Sequence, residues 1–375
     1  MKRAHCSVLA HGFPENGGVR GFSEARPGVI LGSIALLFML FRAGAFPAVA
    51  VAAGAASADY HVIGRLELGG EGGWDYLSVD GEARRLYLSR GSRVVVVDLE
   101  TGRPAGEIPD TPGVHGIALA PGLNRGFTSN GRANTASIFD LKTLEVLGRV
   151  KTGENPDAIL YDPFAGQVFT FNGRSREATV FDALSGEVKG AIELGGKPEF
   201  AATDGKGEIF VNIEDTGEVV VIDSARLAVK NRISLDPCRE PTGMAIDPER
   251  GRLFVGCHNK LMAIVDARAG KMIGAAPIGE HVDACGFDPE SGLAFSSNGD
   301  GTLTVVRESS PGKFEAARTV ATQFGARTMA IDPKTHIIYL PTARFLPPPA
   351  QPPEGGSKAR GEMIENSFVV LMVAP

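Results

Sequence analysis

One phrase of about 42 residues recurs seven times between Trp74 and the C-terminus. Each copy opens on an apolar segment, which in six of the seven runs toward an Asp, often Asp-Pro. These segments read WDYLSVD (74–80), HGIALAP (115–121), DAILYDP (157–163), EFAATD (199–204), TGMAIDP (242–248), DACGFDP (283–289) and RTMAIDP (327–333). Anchor positions 80, 121, 162, 204, 247, 288 and 332 are separated by 41, 41, 42, 43, 41 and 44 residues. Each copy continues through an aromatic-centred strand, a polar turn, a Val/Ile-rich strand and a last strand. A period of that length with four short strands per unit is the signature of a blade in a ring of antiparallel sheets. The fold class expected is therefore all-β, a seven-bladed β-propeller.

Several columns of the repeat carry a physical reason. Tyr87, Phe127, Phe169, Phe210, Phe254, Phe295 and Tyr339 occupy one position of the second strands. Blades splay apart away from the axis, and large rings fill that widening gap. Near the axis the blades converge, and there the first strands are rich in Ala and Gly. The third strands VVVVD (94–98), SIFD (137–140), TVFD (179–182), VVVID (219–223) and AIVD (263–266) end in an Asp placed to accept turn N–H groups. The sixth copy ends its third strand in Arg307 instead. The seventh copy runs through 327–332, 336–341 and 367–373 and stops one strand short. YHVIGRLEL (60–68) precedes the first copy with no unit of its own. It is expected to supply the missing outer strand and close the ring. The Pro-rich stretch 346–354 and the polar run to about 365 are expected to form a mobile loop over one face.

The blade framework resembles the YVTN-repeat, or YncE-like, seven-bladed propellers exported by bacteria. The carrying residues are the turns Asp162-Pro163, Asp247-Pro248, Asp288-Pro289 and Asp332-Pro333, the strands LYLS, VFTFN, IFVNI and LFVGC, and the VVVVD-x-x-TG unit. No strand reads YVTN itself. The resemblance spans residues 59–375 and implies an exported propeller, without implying one activity, because that family is defined by its framework. A more distant similarity is to the propeller chains of quinone-dependent amine dehydrogenases.

Residues 1–58 read as an export leader. An apolar run, VILGSIALLFML (29–40), is followed by Arg42 and then by small residues ending Ala56-Ser57-Ala58, a small-x-small cleavage pattern. Met39 is an alternative start. An uncleaved membrane anchor is the competing reading, but the run falls short of the roughly 20 residues a span needs. The expected location is periplasmic or secreted. The leader holds five basic and two acidic residues, which leaves 33 basic and 42 acidic residues and a net charge of −9 in the mature part. Such a chain is a poor general partner for nucleic acid. A monomer is expected. Of Cys238, Cys257 and Cys285, the first two flank paired strands of the fifth unit and are candidates for a disulfide. Cys285 lies among small apolar residues and reads as core.

The residue five places before each anchor varies while the apolar frame does not. Around the ring it is Asp75, His115 (one place off), Asp157, Glu199, Thr242, Asp283 and Arg327. These positions lead into the innermost strands and should crowd around one mouth of the axial channel. His115, Asp157, Glu199 and Asp283 are the acid–base candidates. Asp157, Glu199 and Asp283 are oxygen donors suited to a divalent cation such as Ca²⁺. The competing reading is that Arg327 pairs with Asp283 or Asp75 and the other acids cap turns. The ends of the second strands should lie on the same face with Asn130, Asn172, Asn212, Glu214, His258 and Asn298. Asn130, Asn172 and Asn298 precede Gly, which also fits tight hairpin turns.

There is no G-x-S-x-G elbow, no H-E-x-x-H helix and no phosphate-binding glycine loop. The leading expectation is a binding propeller that offers its channel mouth to a small ligand, a metal ion or a protein partner. The alternatives are a metal-dependent hydrolase or lactonase using the same mouth, and an accessory propeller to a periplasmic redox enzyme.

Overall fold

A computed structural model describes residues 59–347 and 361–375. The leader read at 1–58 and most of the Pro-rich segment lie outside the described residues. Seven four-stranded antiparallel sheets follow one another, and in six of them strand order is sequence order. These are the blades. Their innermost strands are Leu77–Asp80, Val114–Ala120, Pro156–Asp162, Pro198–Thr203, Pro241–Asp247, Val282–Asp288 and Ala330–Ile331, for blades 1 to 7. The seventh sheet is the exception. Its outer strand is His61–Glu67, which pairs antiparallel with Val369–Ala374. The first strand of the propeller thus completes its last blade, and no open edge is left at the seam. Among the described residues there is no α-helix, only one short 3-10 turn at Pro121–Leu123, and no helix long and apolar enough to cross a membrane.

The burial pattern explains the composition of each strand. Second and third strands lie between neighbouring blades and are covered on both faces. Their sequences are accordingly continuous apolar runs, such as Val219–Ile222. Outer strands touch neighbours on one side only, and Ala228–Ser234 is largely exposed. The core is therefore not one mass. Seven clusters sit between successive blades, each drawing residues from both. Tyr87 of blade 1, for instance, packs with Ile117 and Phe139 of blade 2. All seven ring positions of the aromatic column are buried.

Close to the axis the blades nearly touch, and glycine is required. A Cβ on Gly243 would lie 2.6 Å from the Ala284 backbone of the next blade, and one on Gly286 would lie 2.5 Å from Ile331 Cδ1. The third-strand aspartates make the turns expected of them. Asp98 Oδ1 accepts N–H groups from Glu100 and Thr101, and Asp140 and Asp182 repeat the pattern. Blade 6 lacks that Asp, and its outer hairpin runs on instead. Thr302–Ser310 and Lys313–Ala321 pair through an Arg307–Glu315 contact of 2.7 Å. Cys238 and Cys257 form a disulfide with Cα atoms 5.8 Å apart.

The sequence places the first strand of blade 7 at 327–332, but only Ala330–Ile331 pairs as strand. The residues just before it bond to the neighbouring blades, one through its carbonyl and one through its side chain. The Arg327 carbonyl accepts the Ala284 N–H at 3.1 Å from blade 6, and Thr328 Oγ1 donates to the Asp75 carbonyl at 2.8 Å in blade 1.

Candidate functional site: a blind cup at one mouth of the channel

The backbones that lead into the innermost strands are fixed by side chains of adjacent strands and blades. Asp75 N–H donates to Ser89 Oγ at 2.8 Å. Ser129 Oγ donates to the Asp157 carbonyl of the next blade. Asn212 Nδ2 donates to the Thr242 carbonyl at 2.7 Å, and Thr242 Oγ1 to the Val282 carbonyl at 2.9 Å. Ser297 Oγ donates to the Arg327 carbonyl. Phe171 stands at the equivalent position of blade 3 and makes no such clip. Ser129, Asn212 and Ser297, each near the end of a second strand, thus position a site residue in the blade that follows, while Ser89 holds Asp75 within its own blade.

On this frame the structure gathers Asp75, His115, Asp157, Glu199, Thr242, Asp283 and Arg327 around a cavity of about 1110 Å³, with His258 at its edge. His115 Nδ1 lies 2.6 Å from Asp75 Oδ2 and 3.7 Å from Asp157 Oδ1. Arg327 Nε lies 2.7 Å from Asp283 Oδ2, and its Nη2 is 3.8 Å from Asp75 Oδ1. Lys197 Nζ bonds Glu214 and approaches Glu199 Oε2 to 3.2 Å. That oxygen is buried and takes no aligned hydrogen bond. Gly131 makes room for the imidazole, since a Cβ there would lie 2.8 Å from His115 Nε2.

One step further along two of these strands, Tyr76 of blade 1 meets Phe200 of blade 4, with ring centroids 5.0 Å apart. Phe200 also packs on three of the inter-blade clusters. The pair forms a floor, and the opening becomes a blind cup. Tyr76 is 6% exposed and lines the cavity; its hydroxyl has no hydrogen-bond partner among the described residues. Phe324, Phe345, Leu346 and Pro347 line the same cavity. Phe324 and Leu346 are 54% and 48% exposed. Tyr76, Phe200, Lys197 and this apolar wall escaped the sequence reading. Tyr76 and Phe200 do follow ring residues directly, and aromatics there are a signal for a closed channel. The wall residues lie outside the repeat pattern and carry none.

Burial and crossed charges set the protonation of the cup. Burial works against a charged His115, yet the Asp75 hydrogen bond and the charges of Asp157, Asp75 and Glu199 outweigh it and raise the imidazole to about 9. Burial lifts Asp157 to about 8 against the pull of His115, with the Glu199, Asp75 and Asp283 charges adding to the rise. Burial likewise lifts Asp283 to about 7 despite Arg327, and raises Glu199 despite Lys197. The Tyr76 phenol is pushed well above its ordinary value by burial and then by the four carboxylates. The cup thus holds more protons at neutral pH than the same groups would in water.

Several residues expected at the mouth stand or bond differently. Asn130, Asn172 and Asn298 are fully buried and face the blade interior, not the cup. Asn130 Nδ2 donates to Ser137 Oγ at 2.9 Å while its Oδ1 accepts from Thr128, and Asn172 and Asn298 repeat the motif with Thr179 and Thr304. They are not two-residue hairpin turns either. Asn130 pairs across to Thr135, and the left-handed residue of that loop is Asn134 (φ 52°). Asn212 is a clip between blades, as above. Thr242 lines the cup, but its hydroxyl is spent on Val282. Asp157, Glu199 and Asp283 do not come together as one oxygen cage, because Lys197 and Arg327 take the latter two. The set that does converge is Asp75, His115 and Asp157, whose ligand atoms lie within 4.8 Å of one another. Glu214 reaches the cup only through Lys197, and His258 pairs outward with Glu240 at 3.2 Å.

No protein-family profile matches this chain, and no curated protein matches it. Among solved structures 1778 chains match. One of these, the hydrazine synthase of Kuenenia stuttgartiensis, superposes with a TM-score of 0.64 at 15% identity, over 72% of this chain and 92% of that chain. At that identity the likeness speaks for the propeller fold alone.

Proposed function

We propose that this protein is an exported binding propeller whose blind cup holds a small ligand. The observation that carries the reading is the cup itself. Side chains from all seven blades converge on a floored cavity of drug-like size, whose lining also includes the apolar residues Phe324, Phe345 and Leu346. Nothing in it resembles an activated nucleophile. Its one hydroxyl from the ring, Thr242, is committed to a backbone carbonyl. Export is supported by the Cys238–Cys257 disulfide, which suits an oxidising compartment, and by the apolar leader. The test is a thermal-shift panel of small molecules on the mature protein beside an Asp157→Asn/Asp283→Asn variant. A ligand at 100 times its Kd adds about 2.7 kcal/mol, so the expected result is a compound that raises the melting temperature of the wild type only. Lactone or ester turnover that disappears in His115→Ala would replace this reading.

A second reading, metal-assisted hydrolysis, is favoured by the Asp75–His115–Asp157 convergence. Those residues could hold a cation that polarises a carbonyl. Against it, His115 and Asp75 already satisfy each other at 2.6 Å, so a metal must displace a strongly held proton. Elemental analysis of chelator-free protein decides. Stoichiometric metal, absent from Asp157→Ala/Asp283→Ala, raises this reading above the first.

A further inference from the structure

The cup is electrostatically lopsided. Asp75, Asp157, Glu199, Glu214 and Asp283 supply five carboxylates, while Lys197, Arg327 and a protonated His115 supply three cations. Two negative charges are left unbalanced when all the acids ionise. Glu199 Oε2 is buried without an aligned hydrogen bond, with the Lys197 ammonium 3.2 Å away, and so has acceptor capacity to spare. The same cavity also has apolar lining from Phe324, Phe345, Leu346 and Pro347. Phe324 and Phe345 meet edge to face with centroids 6.1 Å apart, and Leu346 continues the apolar surface.

Resting on the binding reading above, we propose that the cup takes a small organic cation, an ammonium or amidinium head on an aromatic or aliphatic arm. The head replaces the missing positive charge between Asp157 and Glu199, and the arm lies against Phe345 and Phe324. A bare metal ion answers only half of the site. It would leave the apolar wall wet, and the cavity of about 1110 Å³ is far larger than an ion needs. An anion would meet the four carboxylates that line the cavity, and a neutral head would leave the charge unmet. Aromatic faces beside a carboxylate cluster also favour a cation directly through their quadrupoles.

The experiment is calorimetric titration of the mature wild-type protein with three matched probes, phenethylammonium, 2-phenylethanol and phenylacetate, and with calcium chloride. Asp157→Asn and Phe345→Ala variants are titrated in parallel. The cation is expected to bind at least tenfold more tightly than the alcohol, with no binding of the carboxylate. Asp157→Asn should cost the cation tenfold or more and leave the alcohol unchanged. Phe345→Ala should weaken both, and because Phe345 lies on the rim its variant tests the site without touching the ring. If the alcohol or carboxylate binds as well as the cation and Phe345→Ala abolishes it, the ligand class is wrong while the cup remains a binding site. Calcium binding alone, lost in Asp157→Asn, overturns the proposal in favour of the metal-assisted reading. No binding by any probe overturns it too, and the broader reading then stands or falls on the small-molecule panel.

Discussion

His115 shows how one residue is shaped from three directions. Asp75 from the preceding blade orients the ring, Asp157 from the following one adds charge, and Gly131 gives it space. Gly131→Ala should force the imidazole off Asp75, because the added carbon would stand 2.8 Å from Nε2. A stability loss of about 1–3 kcal/mol is expected from such overpacking, readable by urea denaturation. The sequence made His115 visible through its place in the repeat, as it did Asp75 and Arg327. Asn130 and Asn172 misled for a physical reason. A polar residue next to Gly looks like a turn or a ligand, and only the Thr and Ser across the strand reveal it as a buried network. Lys197 was hidden because it lies two residues before a ring position, and only folding brings it between Glu199 and Glu214.

At the scale of the element, most of the fold was legible. The aromatic column, the Asp turns and the orphan strand 60–68 each report a local packing need that the repeat makes visible seven times over. Blade 7 was less so, because its entry bonds to blade 6 through the Arg327 carbonyl and to blade 1 through the Thr328 hydroxyl, and only Ala330–Ile331 pairs as strand. Two elements carry predictions. The disulfide closes a loop with a separation of 19 residues, and a Cys238→Ala/Cys257→Ala variant should lose about 3 kcal/mol by the chain-entropy estimate. Equal denaturation midpoints for the two proteins would show the crosslink to be energetically idle. In the aromatic column, Phe169→Ala should cost about 3–5 kcal/mol, since its ring is wholly buried between blades 3 and 4. A loss below about 1 kcal/mol would mean the interface collapses around the gap.

The whole molecule is a ring of seven interfaces that brings distant residues to one cup, and this has a cost that depends on pH. His115 is raised to about 9, so its stabilising contribution is complete below its ordinary value of 6.5 and is lost as pH rises through 9. Asp157 and Asp283, raised to about 8 and about 7, keep protons that the unfolded chain gives up above its ordinary 3.8. Their sign is the same, and stability falls as pH climbs through that window. The facing groups are Asp75, Tyr76, Lys197, Glu199, His258 and Arg327. At the acid end the lowered Asp288 and Asp332 act oppositely, adding stability above the usual carboxylate range that is lost as pH falls. The melting temperature should therefore decline from pH 5 to pH 9, and Asp157→Asn should flatten the decline. The most direct test of the convergence is an NMR titration of histidine-labelled protein, with His115 assigned by His115→Gln. A midpoint near 9, dropping toward the ordinary value in Asp75→Asn, is the result expected if the ring closes on this cup. A midpoint near 6.5, indifferent to Asp75, would mean that the residues leading into the seven blades do not meet, and the cup would have no basis.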